Sequence, residues 1–246
     1  MDHRLDVPVA KGYKRVCSFP CSVKESFACR HCVRCCTATY SLRDVEEGLQ
    51  YRSAREKMAR TTGLCWDAPD DRLCLLLFND EVKHLQDYAI RHGISFHPVP
   101  LLYALDDNTG GAVVLCWTLD HATCPFLTEG TEGPRCAVHT VKPLVCRAFP
   151  VVRREGQNPT YALSELCTGC QELLPVPDAF VEERLGPELQ AARAVDRRMT
   201  ELLARFALLQ EMHRIRPRLT DDLDGTGDWV RSSVLARRYA PLEEIS

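Results

Sequence analysis

The sequence predicts an α+β protein, with a cysteine-rich core, a small antiparallel β element and packed helices, followed by a helical C-terminal segment. Three observations carry that expectation. Apolar residues recur every three or four positions over Leu42–Arg60, Asp80–His92 and Glu188–Ile215, the spacing of a buried helical stripe. Two β-like runs, Ile94–Leu105 and Ala112–Leu119, flank the turn signal DDNTGG at Asp106–Gly111 and read as a hairpin. Fourteen cysteines precede residue 171 and none follows. This change of character divides the chain into 1–176, a cysteine-cluster domain, and 177–246, a helical extension packed on it.

Each element has a local reason. Ser41, with Asp44 three residues on, makes a partial capping box for the first helix, and Gly63 can stop it. Its inner face takes Leu42, Val45, Leu49, Ala54 and Met58. Arg72–Phe78 is a short apolar run and reads as a strand. Asn79 can cap the helix Asp80–His92, whose ends carry Asp80 and Glu81, then Arg91 and His92, as the helix dipole favours. Val82, Leu85, Ala89 and Ile90 form its inner face, and Gly93 ends it. Cys65, Cys74 and Cys116 read as packed core thiols. Trp117 can pack over the cysteine site or simply in the core. Pro143 hinders a long helix, which puts Cys136 on a turn and Cys146 on a short helix. Thr160–Leu163 reads as a strand, and Phe180–Arg184 as a helical turn broken by Gly186-Pro187. The long helix buries Leu189, Ala192, Val195, Met199, Leu202, Leu203, Phe206, Leu209 and Met212. Trp229–Arg238 reads as a last short helix.

Composition excludes several function classes. A net charge of −3 and 7% aromatic residues argue for neither a nucleic-acid partner nor a base-stacking surface. No run reaches the roughly 18–20 apolar residues of a membrane span; LCLLLF at Leu73–Phe78 is the densest cluster. The opening MDHRLDVPVAKGYKRV has no apolar core and no small-residue cleavage site, so it does not read as a signal peptide. The expected compartment is the cytoplasm, where reduction keeps thiols free. Seven disulfides in a secreted chain are the competing account of fourteen cysteines. The compartment argument favours metal binding.

The chemistry concentrates in two stretches. FACRHCVRCC, Phe27–Cys36, holds Cys29, Cys32, Cys35 and Cys36 within eight residues. C-x2-C-x2-C spacing turns three sulfurs inward from one loop, as around an iron–sulfur cubane, and C-x2-C is also a zinc half-site. Neighbouring side chains diverge, so Cys35 and Cys36 are not expected to reach one ion. Two atoms of one cluster, or two sites, would accommodate both, which leans toward iron–sulfur. The second stretch runs from Cys124 to Cys146: CPFL, then CAVHTVKPLVCRAFP. It adds Cys124, Cys136 and Cys146. His139 is a candidate ligand that reads better as a hydrogen-bonding residue. Cys167-Thr168-Gly169-Cys170 is a further C-x2-C pair, and Cys17 and Cys21 either join the site or pack as buried thiols. The cations Arg30, Arg34, Lys142, Arg147, Arg153 and Arg154 sit near these cysteines in sequence. They would lower thiol pKa values, or serve as ordinary surface charges.

These two stretches resemble the YkgJ-like cysteine-cluster family, described as a zinc- or iron-chelating domain and often as an iron–sulfur oxidoreductase. FACRHCVRCC is similar to its F-x-C-x2-C-x2-C-C motif, and Ser41–Val45 to the helix start that follows. CPFL and CAVHTVKPLVCRAFP resemble its second motif through Cys124, Cys136, Val138, Pro143, Cys146, Arg147, Phe149 and Pro150. Cys167 matches a late cysteine of many members. His139 stands where tyrosine is usual and Lys142 where arginine is usual, and lysine keeps the charge without the planar fork. The resemblance covers roughly Phe27–Cys170.

Cys29, Cys32, Cys35, Cys36, Cys124, Cys136, Cys146 and Cys167 make eight candidate thiolates, with Cys170 a ninth. One cubane takes four and two take eight; two tetrahedral zinc sites also take eight. The leading expectation is a cytosolic iron–sulfur protein with one or two 4Fe-4S clusters and a redox or cluster-assisted role. The alternatives are a zinc-stabilised interaction module without catalysis and a protein that carries metal for another. Substrate, redox partner and oligomeric state have no signal in the residues, and neither does a membrane or nucleic-acid partner.

Overall fold

The computed structural model describes residues 34–37, 45–67, 75–119, 123–131, 133–154, 160–164, 167, 185–219 and 239–245. In chain order the elements are α1 (Arg34–Thr37), α2 (Val45–Thr62), β1 (Leu64–Trp66), α3 (Asn79–His92), β2 (Pro98–Asp106), β3 (Gly111–Leu119), β4 (Leu127–Gly130), β5 (Gly133–Cys136), α4 (Leu144–Ala148), β6 (Val151–Arg154), β7 (Thr160–Leu163), α5 (Gly186–Glu211) and β8 (Tyr239–Pro241). The α+β expectation holds. A four-stranded sheet has the order β1-β2-β3-β8, and β4-β5 and β6-β7 form two separate ribbons.

The expected hairpin is the centre of the sheet. β2 and β3 pair antiparallel from Pro98↔Leu119 to Asp106↔Gly111. β8 joins β3 in parallel, which makes the sheet mixed. Asp106 explains why the turn is fixed. Its buried carboxylate accepts from Thr109 Oγ1 at 2.8 Å and from the Arg216 N–H at 2.8 Å, tying the turn to the chain after α5. A buried carboxylate needs such donors to be tolerated.

The main core lies between one face of this sheet and α5. Leu64, Phe78, Leu102, Leu115, Phe206 and Leu209 meet there. A second cluster joins α3 to the β4–β5 ribbon through Leu77, Val82, Leu85, Ala89, Phe96, Phe126 and Val138. A third sets Ala148 of α4 and Val151 and Leu163 of the β6–β7 ribbon against Leu189, Ala191 and Ala192 of α5. The long helix therefore braces both the sheet and the short helix that carries Cys146.

Several expectations are corrected. The run 72–78 does not give a described strand: residues 71–74 lie outside the description, and Leu77 makes only an isolated bridge with Trp117. The N-cap of α3 is Phe78 rather than Asn79, because the Phe78 N–H is satisfied by Glu81 Oε2 at 2.9 Å. Ile90 is 73% exposed and Met212 54% exposed, so neither belongs to its helix's buried stripe. Ile90 adjoins Ala89 and points off the apolar face, and Met212 falls just beyond the end of α5. Gly186-Pro187 opens α5, since proline suits the first helical turn. β1, with Cys65 buried in it, had no sequence signal. Gly63 and Gly93 do end their helices, at φ 71° and 63°. Ser41, Phe180–Arg184 and Trp229–Arg238 lie outside the described residues.

Candidate metal centre

Five cysteines come from four pieces of chain. Cys35 and Cys36 lie on α1, Cys124 just before β4, Cys136 at the end of β5, and Cys146 on α4. Cys146 is on the expected short helix, whereas Cys136 ends a strand, paired with Leu127, rather than sitting on a turn. The two cysteine stretches are joined directly: the Cys124 N–H donates to the Cys36 carbonyl at 2.9 Å. The ribbon between them is folded back by Leu127 N–H to Cys124 C=O at 3.1 Å and Ala137 N–H to Phe126 C=O at 2.8 Å. α3 holds that ribbon from behind, with Tyr88 Oη donating to the Ala137 carbonyl at 3.0 Å. Cys124 and Cys136 thus sit against an apolar wall that includes Trp117 and Phe126. Trp117 belongs both to that wall and to the core.

The sulfurs act on one another. The Cys35 and Cys36 Sγ atoms are 3.9 Å apart. The Cys36 thiol hydrogen-bonds Cys124, which pushes Cys36 up to about 11 and draws Cys124 below its ordinary value. Burial pushes Cys136 and Cys146 up, and repulsion from the other thiolates adds to it: Cys35 acts on Cys136, and Cys36, Cys35 and Cys136 act on Cys146. The Lys142 ammonium opposes this at both, favouring the thiolate. Half-buried thiols that repel one another's charge in this way resist ionising together unless a cation joins them. Soft divalent metal or iron in a cluster is the cation that such sulfurs select. Among the described residues no three Cys, His, Asp or Glu side chains are grouped so that they could hold a metal ion.

Cys167 is 8% exposed and packs with Ala148, Leu163, Leu185 and Leu189 in the α4–α5 cluster. Cys65 and Cys116 are buried core thiols, as expected. His139 is exposed in a 3₁₀ turn. Arg147 is exposed, and Arg153 faces Asp196 at 3.7 Å. Cys17, Cys21, Cys29, Cys32, Cys74 and Cys170 lie outside the described residues.

One residue at this site carried no sequence signal beyond its place near a helix start. Glu81 accepts the Phe78 N–H with Oε2 and the Leu144 N–H with Oε1, at 2.9 and 2.7 Å. Burial raises its carboxyl, against those two hydrogen bonds and the charge of Arg198. Its reach to residue 144 spans 63 positions, which no local pattern encodes.

Among the described residues no helix is long and apolar enough to cross a membrane. A family model, CxxCxxCC, described as "Putative zinc- or iron-chelating domain", matches residues 28–170. No curated protein matches, and no solved structure matches.

Proposed function

The chain belongs to the CxxCxxCC family, and from that membership and the thiol geometry we propose that the cysteine face holds an iron–sulfur cluster in a cytosolic protein with a redox or cluster-assisted role. The observation that supports it most is the hydrogen bond from Cys124 to Cys36, which draws the two cysteine stretches together. Cys35, Cys36, Cys124, Cys136 and Cys146 would supply the ligands, with Cys29 and Cys32 of the same motif. That is more thiols than one tetrahedral ion accepts, which favours a polynuclear or paired centre. Such a cluster supplies one-electron transfer when bound. The chain's own residues prepare the site: Lys142 favours thiolate at Cys136 and Cys146, and Trp117 and Phe126 shield Cys124 and Cys136 from water. Cys167, packed against Ala148 of the helix that carries Cys146, would be a further ligand candidate.

A zinc-stabilised module without catalysis is the second reading, and one distance favours it. Two sulfurs on one tetrahedral zinc, each about 2.3 Å from the metal, stand about 3.8 Å apart. Cys35 and Cys36 are at 3.9 Å. Anaerobic purification with iron, zinc and acid-labile sulfide counted per chain separates the two. Brown protein with sulfide and an EPR signal after reduction supports the cluster. Colourless protein with stoichiometric zinc refutes it in favour of the second reading, and metal-free protein refutes both.

A further inference from the structure

We infer that Glu81 is a positioning residue of the cysteine site: its carboxylate ties the start of α4, and with it Cys146, to the start of α3. The inference deepens the metal-site reading and rests on it. α4 is only five residues long, and its N-cap is Pro143, which offers no side-chain acceptor. Its first N–H groups are therefore without a local cap. Glu81 supplies one from another element, with Oε1 2.7 Å from the Leu144 nitrogen. The other oxygen, Oε2, is committed to Phe78 at 2.9 Å. Two oxygens each taking one backbone N–H fix the carboxylate in place and in orientation.

The anchor is itself anchored. Asp80 beside it is held by the Arg198 guanidinium of α5, and that guanidinium lies 4.0 Å over the centre of the buried Phe78 ring. The charged groups facing Glu81 are Arg198, which favours the carboxylate, and Asp80, which opposes it. Leu144 precedes Cys146 by two residues on the same helical turn, so a shift at Leu144 carries the sulfur with it.

The bond can be cut from either end. Leu144→Pro removes the donor. Proline is tolerated in the first helical position, and Pro143 already has φ −52° and ψ 153°, the conformation a following proline demands. Leu144→Ala is the control for the lost side chain. Glu81→Ala removes the acceptor. Glu81→Gln keeps one acceptor oxygen for two donors and should fall between Glu81→Ala and wild type.

Full-length wild type and variants are purified without oxygen, and their iron and zinc are followed as EDTA draws them off. Loss of metal should be about tenfold faster in Leu144→Pro than in Leu144→Ala, the scale of outer-shell changes at metal sites. Glu81→Ala should match Leu144→Pro, and combining the two should add nothing further. In parallel, metal-free chains are treated with iodoacetamide and the labelled peptides weighed. Cys146 should react about tenfold faster in Leu144→Pro than in Leu144→Ala, on the same scale, while buried Cys65 stays at its wild-type rate. Equal rates for Leu144→Pro and Leu144→Ala in both assays overturn the role of Glu81, and so does Cys65 rising in step with Cys146. A wild type that holds no metal ends the metal-site reading instead, and the labelling assay then still decides the position of α4. If Glu81→Ala does not fold, the Leu144 pair decides alone.

Discussion

Replacing Arg198 tests whether the start of α3 is truly pinned by α5. Its guanidinium makes a forked contact with Asp80, Nη1 to Oδ2 at 3.2 Å and Nη2 to Oδ1 shorter, and lies 4.0 Å over the Phe78 ring. The Asp80 side chain is 54% exposed and that of Arg198 27%. Such an exposed ion pair is worth about 0.2–1 kcal/mol. The cation–π contact, partly desolvated, adds about 1 kcal/mol. Arg198→Ala should therefore cost about 1–2 kcal/mol. Arg198→Lys keeps the charge but loses the fork and the flat stack, so it should recover only part. The assay is urea unfolding followed by tryptophan fluorescence at neutral pH. High salt should shrink the share that Asp80→Asn also removes and leave most of the ring contact.

The pH dependence has a definite sign. Burial works to raise Asp80, but the hydrogen bond and charge of Arg198 outweigh it and hold the carboxyl below its ordinary 3.8. A depressed carboxyl stabilises the fold above its unfolded value, and that contribution fades as pH falls through the folded one. The gap between wild type and Asp80→Asn should thus be full at pH 7 and close on acidification below about 4. An Arg198→Ala cost under about 0.3 kcal/mol, or a gap that widens in acid, would refute this account of the contact.

Phe206→Ala empties a site that is 2% exposed between α5 and the sheet, and should cost about 3–5 kcal/mol in urea unfolding. Gly63→Ala and Gly93→Ala both force alanine into positive φ, at about 1–2 kcal/mol each. A Cβ at Gly63 would also meet Pro217 Cβ at 2.4 Å, whereas Gly93 has open space. Gly63→Ala should therefore unfold at the lower urea concentration, and equal midpoints would contradict that contact. Cys116→Ala should leave metal per chain unchanged, while Cys146→Ala should lower it; elemental analysis of the two reads the difference.

The helical stripes and the hairpin were legible because each is encoded locally. Val82, Leu85 and Ala89 repeat at helical spacing and are buried, and DDNTGG turns the chain where it was expected to. What escaped was set by distant partners. β1 has three residues, too few for a periodic signal, and exists because Leu64, Cys65 and Trp66 find Ala104, Tyr103 and Leu102 in register. The parallel pairing of β8 with β3 joins Tyr239 to Ala112 across about half of the chain. Ile90 shares a helical turn with Ala89 yet is exposed, because apolar character alone does not say which side of a stripe's edge a residue falls on.

At the site, spacing identified the residues and fell short on their arrangement. Adjacent Cys35 and Cys36 were expected to diverge, as neighbours on a regular element do. Their sulfurs are 3.9 Å apart on a helix of only four residues. So short a helix constrains its side chains less than a long one: Cys36 hydrogen-bonds Cys124, while the charge of Cys35 acts on Cys136 and Cys146. Adjacency therefore does not demand two metal atoms, and the number of thiols is what favours a cluster. Lys142 and Arg153 part in the same way. Six basic residues lie near the cysteines in sequence, but Arg153 turns to Asp196 while the charge of Lys142 acts on Cys136 and Cys146. Proximity along the chain proposes a partner; the fold decides it, here by leaving Arg147 exposed beside Cys146 while the charge of Lys142 bears on Cys136 and Cys146.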